Sequence, residues 1–405
     1  SNFISTAMQL DEAGALLSHR FTRGLMTSPA ALNYEEVQAA IDGAPNERTA
    51  PLFESVLRPL YGVYAALSAA REARQPLDLD LPERRIELSP LGKVTSVAFK
   101  ERLDAHRLIE ECMVLANVAA AKALTAKREP LIFRVHEEPS PEKLDALRET
   151  AASVGLPLAK GQVLKTSQLN RLLGAAQGTE MAEMISIATL RSMTQAYYSP
   201  ENFGHFGLAL SHYAHFTSPI RRYADLVVQR ALIAAHGWEE RARDDTDLDA
   251  VATHISETER RSMLAERDTN DRYLAAYLSE RVGNEFTGRI SGISRAGVFV
   301  KLDGTGANGL VPMRELGREY FHYDPDAVML TGADTGREIS LGQRVTARLA
   351  EAVAVTGGLK LELLDIDGTE LSRGPAPRRA KPPKRKLKAS KGKASKLRKV
   401  TRRKR

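Results

Sequence analysis

The chain is 405 residues long, room for roughly two or three domains, and its 43% hydrophobic content is ordinary for a soluble globular protein. The net charge of +7 hides a division: residues 371–405 carry 17 Lys and Arg and no acid, so the first 370 residues hold 41 basic and 51 acidic side chains, a net of −10. No apolar run is long enough for a membrane span and no signal peptide is recognisable, so no membrane partner is expected, and the single cysteine, Cys112, excludes an intramolecular disulfide and fits a reducing, cytoplasmic setting.

In chain order, residues 2–28 read as two strands about the turn Asp11-Glu-Ala-Gly14. The chain opens with Ser1 rather than Met, and a strand follows at once, so a removed leader or a longer protein is expected upstream. Leu32 to Ile41 reads as a short helix. Pro51 to Arg74 reads as a long one, with Leu52, Val56, Leu60, Val63, Tyr64 and Leu67 at helical spacing. Leu77 to Thr95 looks extended. Asp104 to Ala126 is a strong helix in which Leu108, Cys112, Leu115 and Ala119 share a face, which assigns Cys112 to packing rather than chemistry. Leu131 to Val135 is a buried-strand candidate, and Pro141 to Val154, Ser167 to Ala176 and Glu180 to Tyr197 are helices. Ser218-Pro219 reads as an N-cap and first helical residue, with the helix stopping at Gly237. A charged break, Glu239 to Asp249, precedes a helix from about Leu248 to Val282.

From Asn284 to Leu364 the pattern changes. Phe286–Ile290, Gly297–Leu302, Gly309–Pro312, Arg344–Ala350 and Leu359–Leu363 are short strands between glycine-rich turns, the signature of a small OB-type barrel. Arg373 to Arg405 is low in complexity and almost without apolar residues; it cannot bury a core and is expected to be disordered.

The most informative stretch is His205 to Asp225, which ends Phe-Thr-Ser-Pro-Ile-Arg-Arg-Tyr-Ala-Asp. Arg221 and Arg222 fall in the first turn of the expected helix, where cations oppose the helix dipole. Dipole, free N–H groups and two guanidinium forks together favour an anion there, phosphate above all. The competing reading is an Arg221–Asp225 pair at i, i+4, which when exposed is worth only ~0.3–0.5 kcal/mol and poorly explains two arginines at a helix start. His205, His212 and His215 lie among aromatics, which favours core or stacking roles over metal ligation.

His205-Phe-Gly-Leu-Ala-Leu followed by Tyr213-Ala-His-Phe-Thr-Ser-Pro-Ile-Arg-Arg-Tyr-Ala-Asp-Leu226 resembles the signature of the ribonuclease II / ribonuclease R family of 3′→5′ exoribonucleases. Leu32-Asn-Tyr-Glu-Glu-Val37, Ala105-His-Arg-Leu-Ile-Glu-Glu-Cys-Met-Val-Leu-Ala-Asn117, Leu190-Arg-Ser-Met193 and Leu264-Ala-Glu-Arg-Asp268 agree with it. Gly288 to Val300, Gly309-Leu-Val-Pro312 and Leu341-Gly-Gln-Arg-Val345 resemble an S1-type RNA-binding domain. The resemblance implies an α+β chain in three parts: residues 1–282 as the later part of an RNB catalytic domain, 283–366 as an S1-type OB barrel, and 367–405 as a basic tail, more like ribonuclease R than ribonuclease II.

The implied activity is hydrolysis of single-stranded or structured RNA to nucleoside 5′-monophosphates, with Mg²⁺ as the implied cofactor. The metals of such a site need clustered carboxylates. Asp244-Asp245-Thr-Asp247-Leu-Asp249 sits in a polar break and reads as a solvated linker, and Asp78-Leu-Asp80 is too sparse. In the family resembled, the ligands are closely spaced aspartates in the N-terminal half of the RNB domain, so the resemblance implies that they lie upstream of Ser1 and that this chain by itself is inactive; the alternative is a non-catalytic RNA-binding protein. By resemblance Arg221 contacts the scissile or adjacent phosphate and stabilises the transition state, with Arg222 as a weaker companion. By the same resemblance Tyr34 and Glu110 or Glu111 correspond to positions that hold the 3′-terminal nucleotide, Glu111 being favoured because Leu108 and Leu115 flank it. A carboxylate there would accept from a ribose 2′-OH. Glu266 is a further residue near the strand, and Gln229 stands where relatives often carry His. In the barrel Phe286, Phe299, Phe321, His322 and Tyr323 are candidate base-stacking residues, with Phe286 equally readable as core, and Ala296 replaces a common aromatic. The tail is expected to contact RNA phosphates, including structured or ribosomal RNA.

Overall fold

The computed structural model describes residues 2–79, 84–159, 164–179, 181–239, 247–325 and 328–371. Asp80, Asp244, Asp245 and the basic tail from Arg373 onward lie outside the described residues.

The chain opens with an antiparallel hairpin, β1 (Asn2–Leu10) and β2 (Leu16–Leu25). Gly14 in its turn has φ +77, and a Cβ there would stand 2.2 Å from the Ala66 carbonyl oxygen, so only glycine lets the hairpin meet the next helical layer. That layer is α1 (Tyr34–Ile41), α2 (Ala50–Leu52), a π-turn at Phe53–Leu57, and α3 (Arg58–Arg74). Asn33 and Glu36 close α1 with a capping box, Glu36 N donating to Asn33 Oδ1 at 2.8 Å and Asn33 N to Glu36 Oε1 at 2.7 Å. A second hairpin, β3 (Arg84–Leu88) and β4 (Val94–Phe99), occupies the stretch that reads as extended.

The centre of the first part is α4 (Asp104–Ala126), whose boundaries match the sequence reading. Its second half is alanine-rich, which favours helix and lets neighbours approach closely. Ala116, Ala119, Ala120, Ala121, Ala123 and Leu124 are buried against Phe133 and Val135 of β5 (Phe133–Val135), Phe216, and Val228, Ala231 and Leu232 of α8 (Tyr223–Ala235). Between β5 and α8 come α5 (Pro141–Ser153), α6 (Thr166–Ala176), α7 (Ala182–Ser192), and β6 (Tyr197–Ser199), which pairs antiparallel with β5.

α9 (Leu248–Ser279) has 32 residues, a length of ~48 Å, and joins the two parts. Its N-terminal turns bury Ala252 and Ser256 near β6, its C-terminal turns bury Leu274, Ala275 and Leu278 in the core shared with the barrel, and every residue from 260 to 269 is exposed.

The barrel strands are β7 (Glu285–Ser294), β8 (Gly297–Leu302), β9 (Asn308–Pro312), β13 (Arg344–Val353) and β14 (Gly358–Ile366), ordered β13-β7-β8-β9-β14 and closed by antiparallel pairing of β13 with β14. The expected α+β architecture with a five-stranded OB-type barrel is thus observed. A small sheet of β10 (Phe321–Asp324), β11 (Met329–Gly332) and β12 (Glu338–Ile339) is inserted before β13, and β15 (Thr369–Glu370) pairs with β14. The barrel is seated on the helices, with Arg289 Nε 2.9 Å from Glu183 Oε2 and Arg191 donating to the Ser291 carbonyl at 3.1 Å. Gly342 (φ +82) permits this approach, since a Cβ would stand 2.8 Å from Met184 Cβ.

Candidate nucleic-acid interface

The Ser218 segment differs from its sequence reading. Ser218 is not an N-cap, because α8 starts at Tyr223 and residues 218–222 form a separate turn, with Arg221 and Arg222 N–H both donating to the Ser218 carbonyl. The cause is Asp225, which is fully buried and accepts from Ser218 N at 2.6 Å. Its partner is Arg222, not Arg221: Arg222 Nε and Nη2 each donate to the carboxylate at 2.8 Å. This fork-to-fork pair fills the role that the competing sequence reading gave to Arg221. Arg221 is left exposed at the tip of the turn beside Ile220, which is fully exposed.

Behind the turn the backbone is fixed by groups from several elements. Asn117 of α4 accepts from Phe216 N at 2.9 Å and donates to the Tyr213 hydroxyl at 3.1 Å. Gln229 donates to the Phe216 carbonyl at 3.0 Å. Tyr198 OH lies 2.9 Å from His215 Nδ1, and the Arg134 guanidinium covers the Tyr198 ring at 4.7 Å while bonding Glu259 at 2.6 Å. His136, His205, Tyr213, His215 and Tyr198 form a continuous line of ring contacts with centroids 5.2–5.6 Å apart. Burial pushes the His205 imidazole down to about 3 and that of His215 to about 2, with His136 adding to the first and Arg222 to the second. Both are neutral near pH 7 and belong to packing, as their aromatic surroundings suggest. Asn117, Tyr198 and Arg134 were not singled out by sequence reasoning. The available signal was a buried amide inside an alanine-rich helix face, which has to be satisfied.

A second cluster lies at the other end of α4. Tyr34, the first residue of α1, stacks on His106 with centroids 4.1 Å apart and planes 21° from parallel. Glu110 follows His106 by one turn and pairs with Arg102. Glu111 points elsewhere: it is 7% exposed, with Arg71 Nε at 3.1 Å and Arg74 Nη2 at 3.8 Å. Burial pushes its carboxyl above the ordinary range, against the pull of Arg74 and Arg71. The apolar neighbours that favoured Glu111 in the sequence therefore mark an interior position, and Glu110 is the glutamate on the Tyr34 side. His106, Glu110 and Asn117 lie along one stripe of α4, ~16 Å from end to end, joining the Tyr34 cluster to the Arg221 turn. Glu266 is exposed on the middle of α9. Cys112 is half-buried.

In the barrel one stacking expectation is corrected. Phe321 is 4% exposed and sits in the core, because alternation along β10 turns it inward and His322 outward. Phe286 and Tyr323 are half-buried against the same core. Phe299 is exposed on β8, and His322 makes an edge contact with the exposed Tyr320 at 4.9 Å, a residue the sequence reading passed over. Ala296 is exposed in the β7–β8 turn.

Among the described residues no group of three or more His, Cys, Asp or Glu side chains converges to hold a metal ion. No helix among them is long and apolar enough to cross a membrane.

An α+β part joined to a five-stranded OB-type barrel is the architectural class, and comparison with known families specifies it. The RNB domain family model matches residues 2–237 and the S1 RNA binding domain model matches residues 279–362. Ribonuclease R of Escherichia coli (strain K12) is 36% identical over 96% of this chain and 48% of its own length, and that of Aquifex aeolicus (strain VF5) is 35% identical over 88% and 51%. The Mycoplasma genitalium RNase R structure, in complex with ribose methylated single-stranded RNA, superposes with a TM-score of 0.82 at 26% identity, covering 89% of this chain and 58% of that one. The chain belongs to the RNB family, is similar to ribonuclease R proteins, and spans about half the length of the curated relatives it matches. The pseudonuclease Ssd1 of yeast shares the fold with a TM-score of 0.57 at 18% identity over 82% of this chain and 41% of its own, so the fold by itself does not decide catalysis. Hydrolysis in the family is metal-dependent, and the residues described here do not supply a metal site.

Proposed function

We propose that this chain is the RNA-gripping part of a 3′→5′ exoribonuclease of the ribonuclease R type, acting on single-stranded or structured RNA to release nucleoside 5′-monophosphates. The observation that carries the reading is the Arg221 turn. A guanidinium is held out to solvent while its neighbour Arg222, the buried Asp225 and Asn117 fix the backbone beneath it. A rigid turn presenting one exposed fork suits a phosphate oxygen that gains charge in the transition state. Tyr34 offers an exposed ring to the 3′-terminal base, and Glu110 a carboxylate to a nearby ribose 2′-OH. Glu266 on α9 and the outward residues Phe299 and His322 extend the path of the strand. Arg222 serves the turn rather than the RNA.

The metal-binding carboxylates belong to a region outside this chain, with Mg²⁺ as the proposed metal. The 405-residue chain should therefore bind single-stranded RNA yet fail to shorten it. Incubation of labelled RNA with the chain and Mg²⁺ checks this; EDTA-sensitive, stepwise loss from the 3′ end that survives repurification would overturn it. A second reading, a non-catalytic RNA binder, is favoured only by the lack of a metal cluster among the described residues, and a polypeptide that adds the proposed upstream part and still shows no hydrolysis would select it.

The basic tail is proposed to add sequence-independent phosphate contacts, to structured or ribosomal RNA among others. Removing residues 373–405 takes away 17 positive charges. With each engaged single-strand phosphate adding ~0.7 to the slope of log affinity against log salt, and only part of the tail engaged at once, the slope should fall by about 2–5. Equal slopes with and without the tail would exclude it from RNA binding.

A further inference from the structure

We infer that His106 is the positioning residue of the base platform: its imidazole backs the Tyr34 ring and sets the plane on which the 3′-terminal base stacks. The inference rests on the reading of Tyr34 given above. Tyr34 is 41% exposed, and an exposed ring at the first position of a helix would ordinarily sample several rotamers. Here it does not stand alone. One face lies on His106 at 4.1 Å, nearly parallel, so the other face is the one available to a base.

His106 is itself held on two sides. Its Nδ1 accepts from Leu103 N at 3.2 Å, which leaves the proton of the neutral ring on Nε2 and fixes the ring orientation. The next residue back, Ala105, donates its N–H to Gln38 Oε1 at 3.1 Å, tying the start of α4 to α1. The Asn33–Glu36 capping box fixes the start of α1, and Arg48 and Asn46 hold the same glutamate at 3.4 and 3.3 Å. The two rings thus sit at two helix starts braced against one another. A base added to the outer face of Tyr34 would meet a ring already ordered, so binding would lose little side-chain entropy. Glu110 lies one turn beyond His106 on the same helix and pairs with Arg102.

The test uses the full 405-residue chain and a fluorescently labelled single-stranded RNA, with a second RNA whose 3′-terminal nucleotide is abasic. Tyr34→Ala should weaken binding of the intact RNA about five- to hundredfold, the range of one base–aromatic stack. His106→Ala should weaken it about three- to tenfold, and the double variant no more than Tyr34→Ala alone. His106→Phe, which restores a ring, should bind within about twofold of the parent. The abasic RNA should bind the parent, Tyr34→Ala and His106→Ala alike, a pattern that a general loss of stability would not produce. If Tyr34→Ala weakens binding while His106→Ala does not, or if the two losses add in the double variant, His106 has no positioning role and the inference falls alone. If neither Tyr34→Ala nor the abasic end matters, the assignment of Tyr34 falls and this inference with it.

Discussion

Replacing Arg221 with alanine, in a polypeptide that joins this chain to the metal-binding part proposed to precede it, should lower turnover ~10²–10³-fold, the cost of removing one preorganised donor to a charge that develops in the transition state. Binding of RNA should weaken far less, because the phosphate already carries its ground-state charge and many other groups share it. Arg221→Lys should not restore turnover: an ammonium cannot reproduce two parallel N–H donors in one plane. The geometry makes the test clean. Asp225 is already engaged by Arg222 and by Ser218 N, and Arg221 holds the turn only through its backbone N–H to the Ser218 carbonyl, which alanine keeps, so loss of the side chain should leave the fold intact. Single-turnover kinetics and equilibrium binding, measured side by side, separate the two effects. Turnover within a few-fold of the parent would remove Arg221 from the chemistry.

The sequence made the fold legible to a considerable depth, for reasons that differ between elements. α4 could be bounded to the residue because a long alanine- and leucine-rich segment has both propensity and periodicity behind it. The barrel strands were placed by alternation and by glycines that only tight turns explain, as at Gly297, where φ is +148 and a Cβ would lie 2.0 Å from the Val311 carbonyl oxygen. What stayed hidden were choices made by tertiary partners. Asp225 can pair equally well on paper with Arg221 or Arg222, and only the Ser218 turn, which the same carboxylate creates, decides for Arg222. Glu110 and Glu111 are adjacent, so 100° of helix rotation separates the solvent face from the interior, and Arg71 and Arg74 on another helix identify which is which. Phe321 was misread because β10 is too short for its alternation to stand out from a run of four aromatic rings, Tyr320-Phe321-His322-Tyr323. The Tyr34–His106 stack joins residues 72 positions apart and has no local signature.

Asp225 should prove the most costly single position of the site for stability. Its carboxylate is fully buried, accepts two hydrogen bonds from Arg222, and accepts a third from Ser218 N. Asp225→Ala would leave Arg222, whose side chain is only 19% exposed, without its counter-charge, and would orphan the Ser218 N–H. Breaking a buried pair from one side in this way costs ~3–5 kcal/mol. Asp225→Asn should cost less, since the amide keeps one acceptor oxygen but sets an NH₂ donor against the guanidinium or against Ser218 N. Removing both charges, in Arg222→Met with Asp225→Ala, should recover part of the loss, because no isolated cation then remains inside; a double-mutant cycle with the single variants measures this coupling. The reporter is built in. Trp238, the sole tryptophan, stacks on His236 at 4.6 Å just past the end of α8, the helix whose first turn holds Asp225, so urea unfolding followed by its fluorescence reads the stability of this core directly. Asp225→Ala should shift the midpoint sharply downward with little change in slope. A loss below about 1 kcal/mol, the value typical of an exposed ion pair, would mean that the Ser218–Arg222 turn is held by Asn117 and Gln229 alone, and the case for Arg221 resting on a rigid turn would have to stand on those two residues.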